Sequence, residues 1–298
     1  MSFHQPLFIL CPGRSFSSIA CMTIGQHPQL YGLPETYLAS AASVHEWFVF
    51  TSRPSHRHLR HGLLRIIAQL HHGAQTQDTI LEARRWLQQQ RDWRTDKLYH
   101  YLAGRIAPQR LVDKSPTQGK LQNLERLHQT FPGAYFLHLT RHPRSTGNSF
   151  YRVKLPKAKQ QGQLALDKLA DKVEWYWVRG HRSILEFTAR LPPGQVMRLQ
   201  GENLLAEPNT YFLQIAEWLD IRTDTKAIEA MMHPEASPYA HVGPPGARYG
   251  NNRGFLEDPH FKEGLPPPAK LVGPMEWSPE QSNFSPETLR IARQLGYD

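Results

Sequence analysis

The hydrophobic pattern is most distinct near the start of the chain, where residues 7–11 form a continuous apolar run that ends at Pro12-Gly13. A run of this length suits a strand buried on both faces of a parallel sheet better than a helix. A second short apolar stretch, residues 19–24, is typical of a helix. The pattern therefore predicts a central strand that leads through a tight turn into a helix.

The same alternation continues along the chain. Short apolar runs predict strands, and longer segments with apolar residues three and four positions apart predict helices packed against a sheet. The predicted strands are residues 30–32, 111–113, 134–140 and 196–200, and the predicted helical regions are residues 37–107, 119–130, 144–151, 164–191, 202–218 and 286–296. The pattern indicates an α/β fold with three layers, in which a mainly parallel central sheet is flanked by helices.

The 298 residues are enough for one domain of this class, which we expect to span residues 1–298. Two segments depart from the alternation. The segment from about residue 37 to about residue 107 is predicted to be helical without an intervening strand, which indicates a helical insertion on the acceptor side of the domain. Residues of about 233–270 are rich in proline and glycine, and an irregular segment of this length is typical of a lid.

The chain carries a net charge of +9, which implies anionic partners. Its basic residues are spread along the sequence and form no recognised nucleic-acid motif, so we expect a small anionic ligand and no nucleic acid. We find no apolar stretch of membrane-spanning length and no N-terminal signal pattern, which favours a cytoplasmic protein. Cys11 and Cys21 fall in the first strand and helix, so we expect reduced, buried thiols.

The turn after the first strand has the features of an anion site. A strand that delivers a hydroxyl-rich loop to a helix N-terminus leaves backbone N–H groups free at the positive end of the helix dipole, and Arg14 adds a full charge. An ATP-binding Walker A loop would need a lysine, and no lysine occurs before Lys97. The expected ligand is therefore a phosphate or sulfate group held without that lysine.

This loop resembles the 5′-phosphosulfate loop of sulfotransferases that use 3′-phosphoadenosine 5′-phosphosulfate (PAPS). The matching residues are Pro12, Arg14, Ser15, Ser17 and Ser18. Gly13 is an extra residue, and Phe16 stands where the family usually has glycine. The resemblance implies a P-loop-like sulfotransferase fold and assigns Arg14, Ser15, Phe16, Ser17 and Ser18 to the donor site, with Arg14 also acting on the transferred group.

A second motif follows the predicted strand 134–140. Arg141 and Pro143, with Ser149 eight residues after the arginine, resemble the family's 3′-phosphate motif. An arginine at the end of this strand also argues against a Walker B site, which would place an aspartate there to hold Mg²⁺. The resemblance implies that Arg141 and Ser149 bind the 3′-phosphate.

Four weaker matches occur at places consistent with the family's order. Asp113-Lys114-Ser115-Pro116 resembles a segment that brings a lysine, here Lys114, to the sulfuryl group. Pro34-Glu35 resembles the Pro-Glu or Glu-Glu pair of tyrosylprotein and carrier-linked bacterial sulfotransferases, whose carboxylate takes the acceptor's proton, which makes Glu35 the candidate general base. Residues 200–204 resemble the Tyr-Glu-Asp-Leu segment, with Gly201 in place of tyrosine and Asn203 in place of aspartate. Near the C-terminus, Arg248 and Arg253 are loosely similar to the basic residues that close over the 3′-phosphate.

The resemblance implies direct in-line transfer of a sulfuryl group from PAPS to a hydroxyl, without a metal, leaving adenosine 3′,5′-bisphosphate. Similarity to sulfotransferases of bacterial polyketide and olefin pathways suggests a bacterial type of enzyme with a carrier-bound or lipid-like acceptor. We expect the acceptor pocket to involve the helical insertion and the Pro/Gly-rich segment. Two alternatives stay open: a non-catalytic nucleotide-binding relative, and a Mg²⁺-dependent phosphotransferase on the same scaffold.

Overall fold

A parallel five-stranded sheet forms the centre of the fold. The computed structural model describes residues 4–115, 119–261 and 269–298. Within them the strands are β1 (Leu7–Leu10), β2 (Leu30–Gly32), β3 (Arg110–Lys114), β4 (Tyr135–Thr140) and β5 (Val196–Gln200). Their order is β2-β3-β1-β4-β5, and every neighbouring pair is parallel. The prediction that the first strand is central is confirmed.

Helices connect the strands and flank the sheet, as the α/β prediction requires. The helices are α1 (Ser17–Ile24), α2 (Val44–Ser52), α3 (His61–His72), α4 (Gln77–Gln89), α5 (Thr95–Ile106), α6 (Leu121–Thr130), α7 (Pro143–Gln161), α8 (Gln163–Thr188), α9 (Gly201–Ala206), α10 (Pro208–Trp218), α11 (Thr225–Ala230), α12 (Arg253–Glu257) and α13 (Pro286–Gln294). Short 3₁₀ turns lie at Leu38–Ser40, Pro54–Arg60, Pro193–Gln195, Pro234–Ala236 and Pro245–Ala247. None of the helices in the described part of the chain combines the length and apolar composition needed to cross a membrane.

The predicted elements agree with the structure in type and differ mainly in extent. The helical insertion is divided into α2 to α5, and the long segment 164–191 is the single helix α8. Helix α7, predicted to begin in residues 144–151, starts at Pro143 and continues through Pro156 to Gln161. The predicted helical region 202–218 is two helices, α9 and α10, which are separated at Glu207. The Pro/Gly-rich segment contains α12 and two 3₁₀ turns, and its residues 262–268 lie outside the described part.

The central strand is fully buried because it has a neighbour on each side and helices on both faces. All four residues of β1 have no exposed surface. Leu7 is paired with Val112 of β3 and with Tyr135 of β4, so the three strands end at the same edge. That carboxyl edge is where parallel sheets place their ligands. Cys11 and Cys21 are free and buried, as predicted, and burial raises the pKa of the Cys11 thiol to about 12.

Glu35 is fixed in place by two glycines from distant parts of the chain. The backbone N–H of Glu35 donates to the carbonyl of Gly250 at 2.7 Å. A Cβ atom on Gly62 in α3 would lie 2.1 Å from the Glu35 carbonyl oxygen, so only glycine allows the helix to come this close. Gly250 has φ of 122° and packs against Gly62. The helical insertion and the Pro/Gly-rich segment therefore meet at this glutamate.

Candidate functional site

A cavity of about 480 Å³ opens at the carboxyl edge of the sheet. Its wall combines the loop after β1 with residues from α7, α8 and α12. The lining residues are Gly13, Arg14, Ser15, Phe16, Ser17, Ser18, Ile19, Glu35, Arg141, Phe150, Val153, Lys154, Tyr176, Asn252 and Phe255. Most of the residues selected from the sequence thus share one cavity, although they come from three separate parts of the chain.

The loop between β1 and α1 has an unusual backbone. Arg14 and Phe16 have φ of 73° and 62°, in the left-handed region that favours glycine. Helix α1 begins at Ser17, so its free N–H groups face the cavity end of the loop. The left-handed conformation at Phe16 gives a physical reason for the glycine that related loops have there.

A buried lysine joins this loop to Glu35. The ammonium group of Lys114 has no exposed surface; it donates to Oγ of Ser18 at 2.8 Å and to Oε1 of Glu35 at 2.9 Å. Tyr37 donates from its hydroxyl to Oε2 of Glu35 at 2.7 Å. Both carboxylate oxygens are therefore held by donors. Lys114 lies behind Ser18 and Glu35, outside the cavity wall, so its direct contact with a transferred group stays a prediction.

Ser18 is oriented by its neighbours. Its Oγ accepts from Lys114 and also from the backbone N–H of Asn252 at 3.1 Å. A serine hydroxyl has one proton to donate. With two donors already directed at the oxygen, that proton is available to a ligand in the cavity.

Arg141 is held above the loop by several contacts. Its Nη1 donates to the carbonyl of Arg14 at 2.8 Å, and its guanidinium lies 4.1 Å from the centre of the Phe16 ring. The indole N–H of Trp177 donates to the Arg141 carbonyl at 3.0 Å. Burial lowers the pKa of Arg141 to about 10, against an opposing effect of Glu202. The group remains charged at neutral pH.

Ser149 lies beside the same cation pair. Its Oγ accepts from Nε of Arg14 at 3.0 Å, and burial lowers the pKa of Arg14 from its ordinary value. The predicted 5′ and 3′ anion motifs are therefore linked: Ser149 contacts Arg14, and Arg14 contacts Arg141. The structure brings these three residues together, as the sequence motifs required.

The two C-terminal arginines lie elsewhere. Arg248 is exposed and does not line the cavity; its carbonyl accepts from the N–H of Gly243. Arg253 is also exposed and lies over the ring of Tyr249 at 4.6 Å. Their contact with a 3′-phosphate stays a prediction. The neighbouring residue Asn252 lines the cavity and contacts Ser18.

Glu202 has a structural role that the sequence did not indicate. Its Oε1 accepts from the backbone N–H of His142 at 2.9 Å, and its Oε2 accepts from the hydroxyl of Tyr297 at 3.1 Å. The carboxylate thereby fixes the turn that follows Arg141. Tyr37 and Tyr176 were also not selected from the sequence, because neither belongs to a motif.

The site fits an anionic group such as a phosphate or sulfate. Oγ of Ser15 and Nε of Arg141 are buried and have no hydrogen-bond partner in residues 4–115, 119–261 and 269–298. A buried polar group without a partner is costly, and a phosphate or sulfate oxygen would supply one. Arg14 and Arg141 supply charge. The part of the chain that the structure describes contains no group of three histidine, cysteine, aspartate or glutamate side chains arranged to hold a metal.

Comparison with solved structures finds proteins of the same fold. The chain is similar to the sulfotransferase domain from the curacin biosynthetic pathway, with a TM-score of 0.77, 22% identity, and coverage of 99% of this chain and 98% of that one. It is also similar to the sulfotransferase domain of the Synechococcus PCC 7002 olefin synthase, with a TM-score of 0.75, 22% identity, and coverage of 99% and 96%. At these identities the two structures establish the fold.

No curated protein sequence matches the chain. The sequence model described as the sulfotransferase family matches residues 6–225, a stretch that contains β1 to β5 and most of the cavity wall. The chain therefore belongs to the sulfotransferase family.

Proposed function

We propose that this protein transfers the sulfuryl group of PAPS to a hydroxyl group of an acceptor and releases adenosine 3′,5′-bisphosphate. The observation that carries the proposal is the Lys114 bridge. Ser18 belongs to the anion loop, residues 12–18, and Glu35 is the candidate base. Because the Lys114 ammonium group contacts both, Oγ of Ser18 and Oε1 of Glu35 lie at most about 5.7 Å apart. An acceptor hydroxyl between them would be within reach of both.

The donor nucleotide is bound by the loop and the second arginine. In this proposal Arg14, the serines of the loop and the N-terminus of α1 bind the 5′-phosphosulfate, while Arg141 and Ser149 bind the 3′-phosphate. Phe16 contributes through its ring, which supports the Arg141 guanidinium. These groups are fixed before the ligand arrives, and fixed positive groups stabilise charge that develops on a leaving phosphate oxygen.

Glu35 takes the acceptor's proton. The acceptor oxygen forms a bond to sulfur while the bond between sulfur and the bridging phosphate oxygen breaks, and that electron pair stays on the bisphosphate. Each carboxylate oxygen of Glu35 accepts one hydrogen bond in the structure, which leaves a further lone pair for the proton. Lys114 orients Glu35 and Ser18 and adds positive charge beneath the loop.

The acceptor is a carrier-bound or lipid-like hydroxyl compound in this proposal. The cavity has an apolar wall, which is formed by Ile19, Phe150, Val153 and Phe255. Val153 is 55% exposed, so part of this wall faces solvent. The two structural relatives come from a curacin pathway and an olefin synthase, which makes pathways of that bacterial type the first to test. A cytoplasmic location stays a prediction.

The direct test is a transfer assay with ³⁵S-labelled PAPS. Purified protein is incubated with 3-hydroxydecanoyl pantetheine or 1-decanol, with and without EDTA, and labelled organic product is counted. We expect label in an acceptor-dependent product at the same rate in EDTA. Label released only as inorganic sulfate, or none at all, would contradict the proposal, and loss of transfer in EDTA would favour a metal-dependent reaction.

A further inference from the structure

Tyr176, in the middle of α8, contacts the anion loop and lines the same cavity. The backbone N–H of Gly13 donates to the Tyr176 hydroxyl at 3.0 Å. Gly13 and Tyr176 both line the cavity. The contact joins parts of the chain that are 163 residues apart, so the fold alone creates it.

The ring of Tyr176 is held in a fixed orientation. It stacks on Phe150 with ring centres 4.8 Å apart and an angle of 25° between the planes. Phe150 follows Ser149 directly in α7 and also lines the cavity. The hydroxyl is therefore presented to the loop by two packed helices rather than by a mobile side chain.

The hydroxyl proton of Tyr176 has no acceptor in the residues that the structure describes. A phenol donates one hydrogen bond and accepts others. Because the oxygen of Tyr176 accepts the N–H of Gly13, its own proton must point away from the loop backbone. Burial raises the pKa of Tyr176, so the group stays a neutral donor at physiological pH.

Two charged groups of the site lie close enough to this hydroxyl to affect its pKa. Arg14 favours ionisation of the phenol and Glu35 opposes it, which places Tyr176 within the field of both. These residues belong to the anion loop and to the candidate base. Arg14, Glu35 and Tyr176 all line the cavity, so a sulfuryl group bound there would lie close to the phenol.

We infer that Tyr176 is a further catalytic residue, which donates a hydrogen bond to a non-bridging oxygen of the transferred sulfuryl group. This inference rests on the proposed function. The proton is not transferred; the hydrogen bond orients the sulfur atom toward the acceptor oxygen and relays the polarity of the Gly13 N–H to the reacting group. The contact exists with PAPS and is absent with adenosine 3′,5′-bisphosphate, which has no sulfuryl group.

The test compares the two nucleotides. PAPS and adenosine 3′,5′-bisphosphate are each titrated by calorimetry, without acceptor, into wild-type protein, Tyr176→Phe and the control Tyr211→Phe. Tyr211 is a half-buried tyrosine at the start of α10, away from the cavity wall. We expect Tyr176→Phe to weaken PAPS binding by about 10- to 100-fold and bisphosphate binding by less than twofold. The control should change neither.

Other outcomes separate the inference from the function on which it rests. If wild-type protein binds neither nucleotide, the proposed function is wrong and the inference fails with it. If wild-type protein binds both and Tyr176→Phe weakens both equally or neither, only the role of Tyr176 is overturned.

A second measurement avoids any loss of folding. 3-Fluorotyrosine is placed at position 176 and its ¹⁹F signal is followed. A shift with PAPS that the bisphosphate does not reproduce supports the contact, and identical spectra with the two nucleotides contradict it.

Discussion

The ring of Phe16 fills the space beside Gly201. A Cβ atom on Gly201 would lie 2.5 Å from Cδ2 of Phe16 and 3.2 Å from the carbonyl oxygen of Thr140. Compared with the sulfotransferase motifs that the sequence resembles, Phe16 takes the place of a glycine in the loop, and Gly201 takes the place of a tyrosine at the start of α9. The aromatic ring of this contact therefore comes from the loop and not from position 201, and it supports Arg141.

Phe16 and Gly201 should be energetically coupled. Gly201→Ala should destabilise the fold by about 1–3 kcal/mol, because the added methyl group overpacks the Phe16 ring. In a Phe16→Gly background the same change should cost much less, with only the Thr140 carbonyl still close. Urea unfolding of the single and double variants measures the coupling.

Gly194→Ala is the matched control for this cycle, since a Cβ atom there meets nothing within 4 Å. Its effect should be the same in both backgrounds. Additive effects of Phe16→Gly and Gly201→Ala would show that the ring and the glycine do not depend on each other.

Glu35→Gln should separate chemistry from binding. Glutamine keeps the shape of the side chain and its one carbonyl oxygen can still accept from Lys114 or from Tyr37, but it is a far weaker base. We expect turnover to fall by about 10²- to 10⁴-fold with bisphosphate affinity nearly unchanged. Steady-state kinetics and calorimetry measure the two effects.

Glu229→Gln, an exposed residue of α11, is the control for this substitution. It makes the same change of charge away from the cavity and should leave turnover unaltered. A Glu35→Gln enzyme with normal turnover would remove Glu35 from the mechanism.

Arg141→Ala should weaken binding of adenosine 3′,5′-bisphosphate by about 10- to 100-fold, the value of a charge-assisted contact with a phosphate. Calorimetric titration gives the affinity directly. Arg85→Ala, at an exposed position of α4, removes the same charge from the surface and should change the affinity by less than twofold. An equally small effect of Arg141→Ala would rule out its assignment to the 3′-phosphate.

The buried carboxyl of Asp113 should make stability depend on pH. Burial raises its pKa from 3.8 to about 6, although hydrogen bonds from Tyr99 and Thr36 oppose the shift. At a pH between 3.8 and about 6, the Asp113 carboxyl is mostly protonated in the folded protein and mostly ionised in the unfolded chain. The contribution of Asp113 to the free energy of unfolding is therefore largest below pH 4 and is lost as the pH rises through 6.

Asp113→Asn isolates this effect. The free energy of unfolding of wild type minus that of the variant should fall by about 2 kcal/mol between pH 4.5 and pH 7. Urea unfolding at a series of pH values measures it, with the exposed Asp92→Asn as control. A difference that is constant or increases with pH would show that Asp113 is ionised throughout this range.

The parts of the site that sequence alone could locate are local in the chain. The loop after β1 follows its strand directly, and Arg141 and Ser149 lie on one strand end and the helix that follows it. Strand period, turn residues and helix spacing fix such groups without reference to the rest of the fold. For this reason the α/β prediction and the central position of β1 were correct.

The remaining contacts depend on packing between distant segments. Tyr176 reaches Gly13 from α8, and Glu202 reaches His142 from α9. No spacing in the sequence encodes these distances. The direction of Lys114 is a related case: the strand end could be predicted, but its burial behind Ser18 follows from how β3 lies beside β1.

The most direct test of the central claim is calorimetric titration of the wild-type protein with adenosine 3′,5′-bisphosphate and, separately, with ADP, each with and without Mg²⁺. Our account predicts micromolar binding of the bisphosphate that does not depend on Mg²⁺, with ADP at least about tenfold weaker because it lacks the 3′-phosphate that Arg141 binds. A preference for ADP with Mg²⁺, or no binding of the bisphosphate, would contradict it.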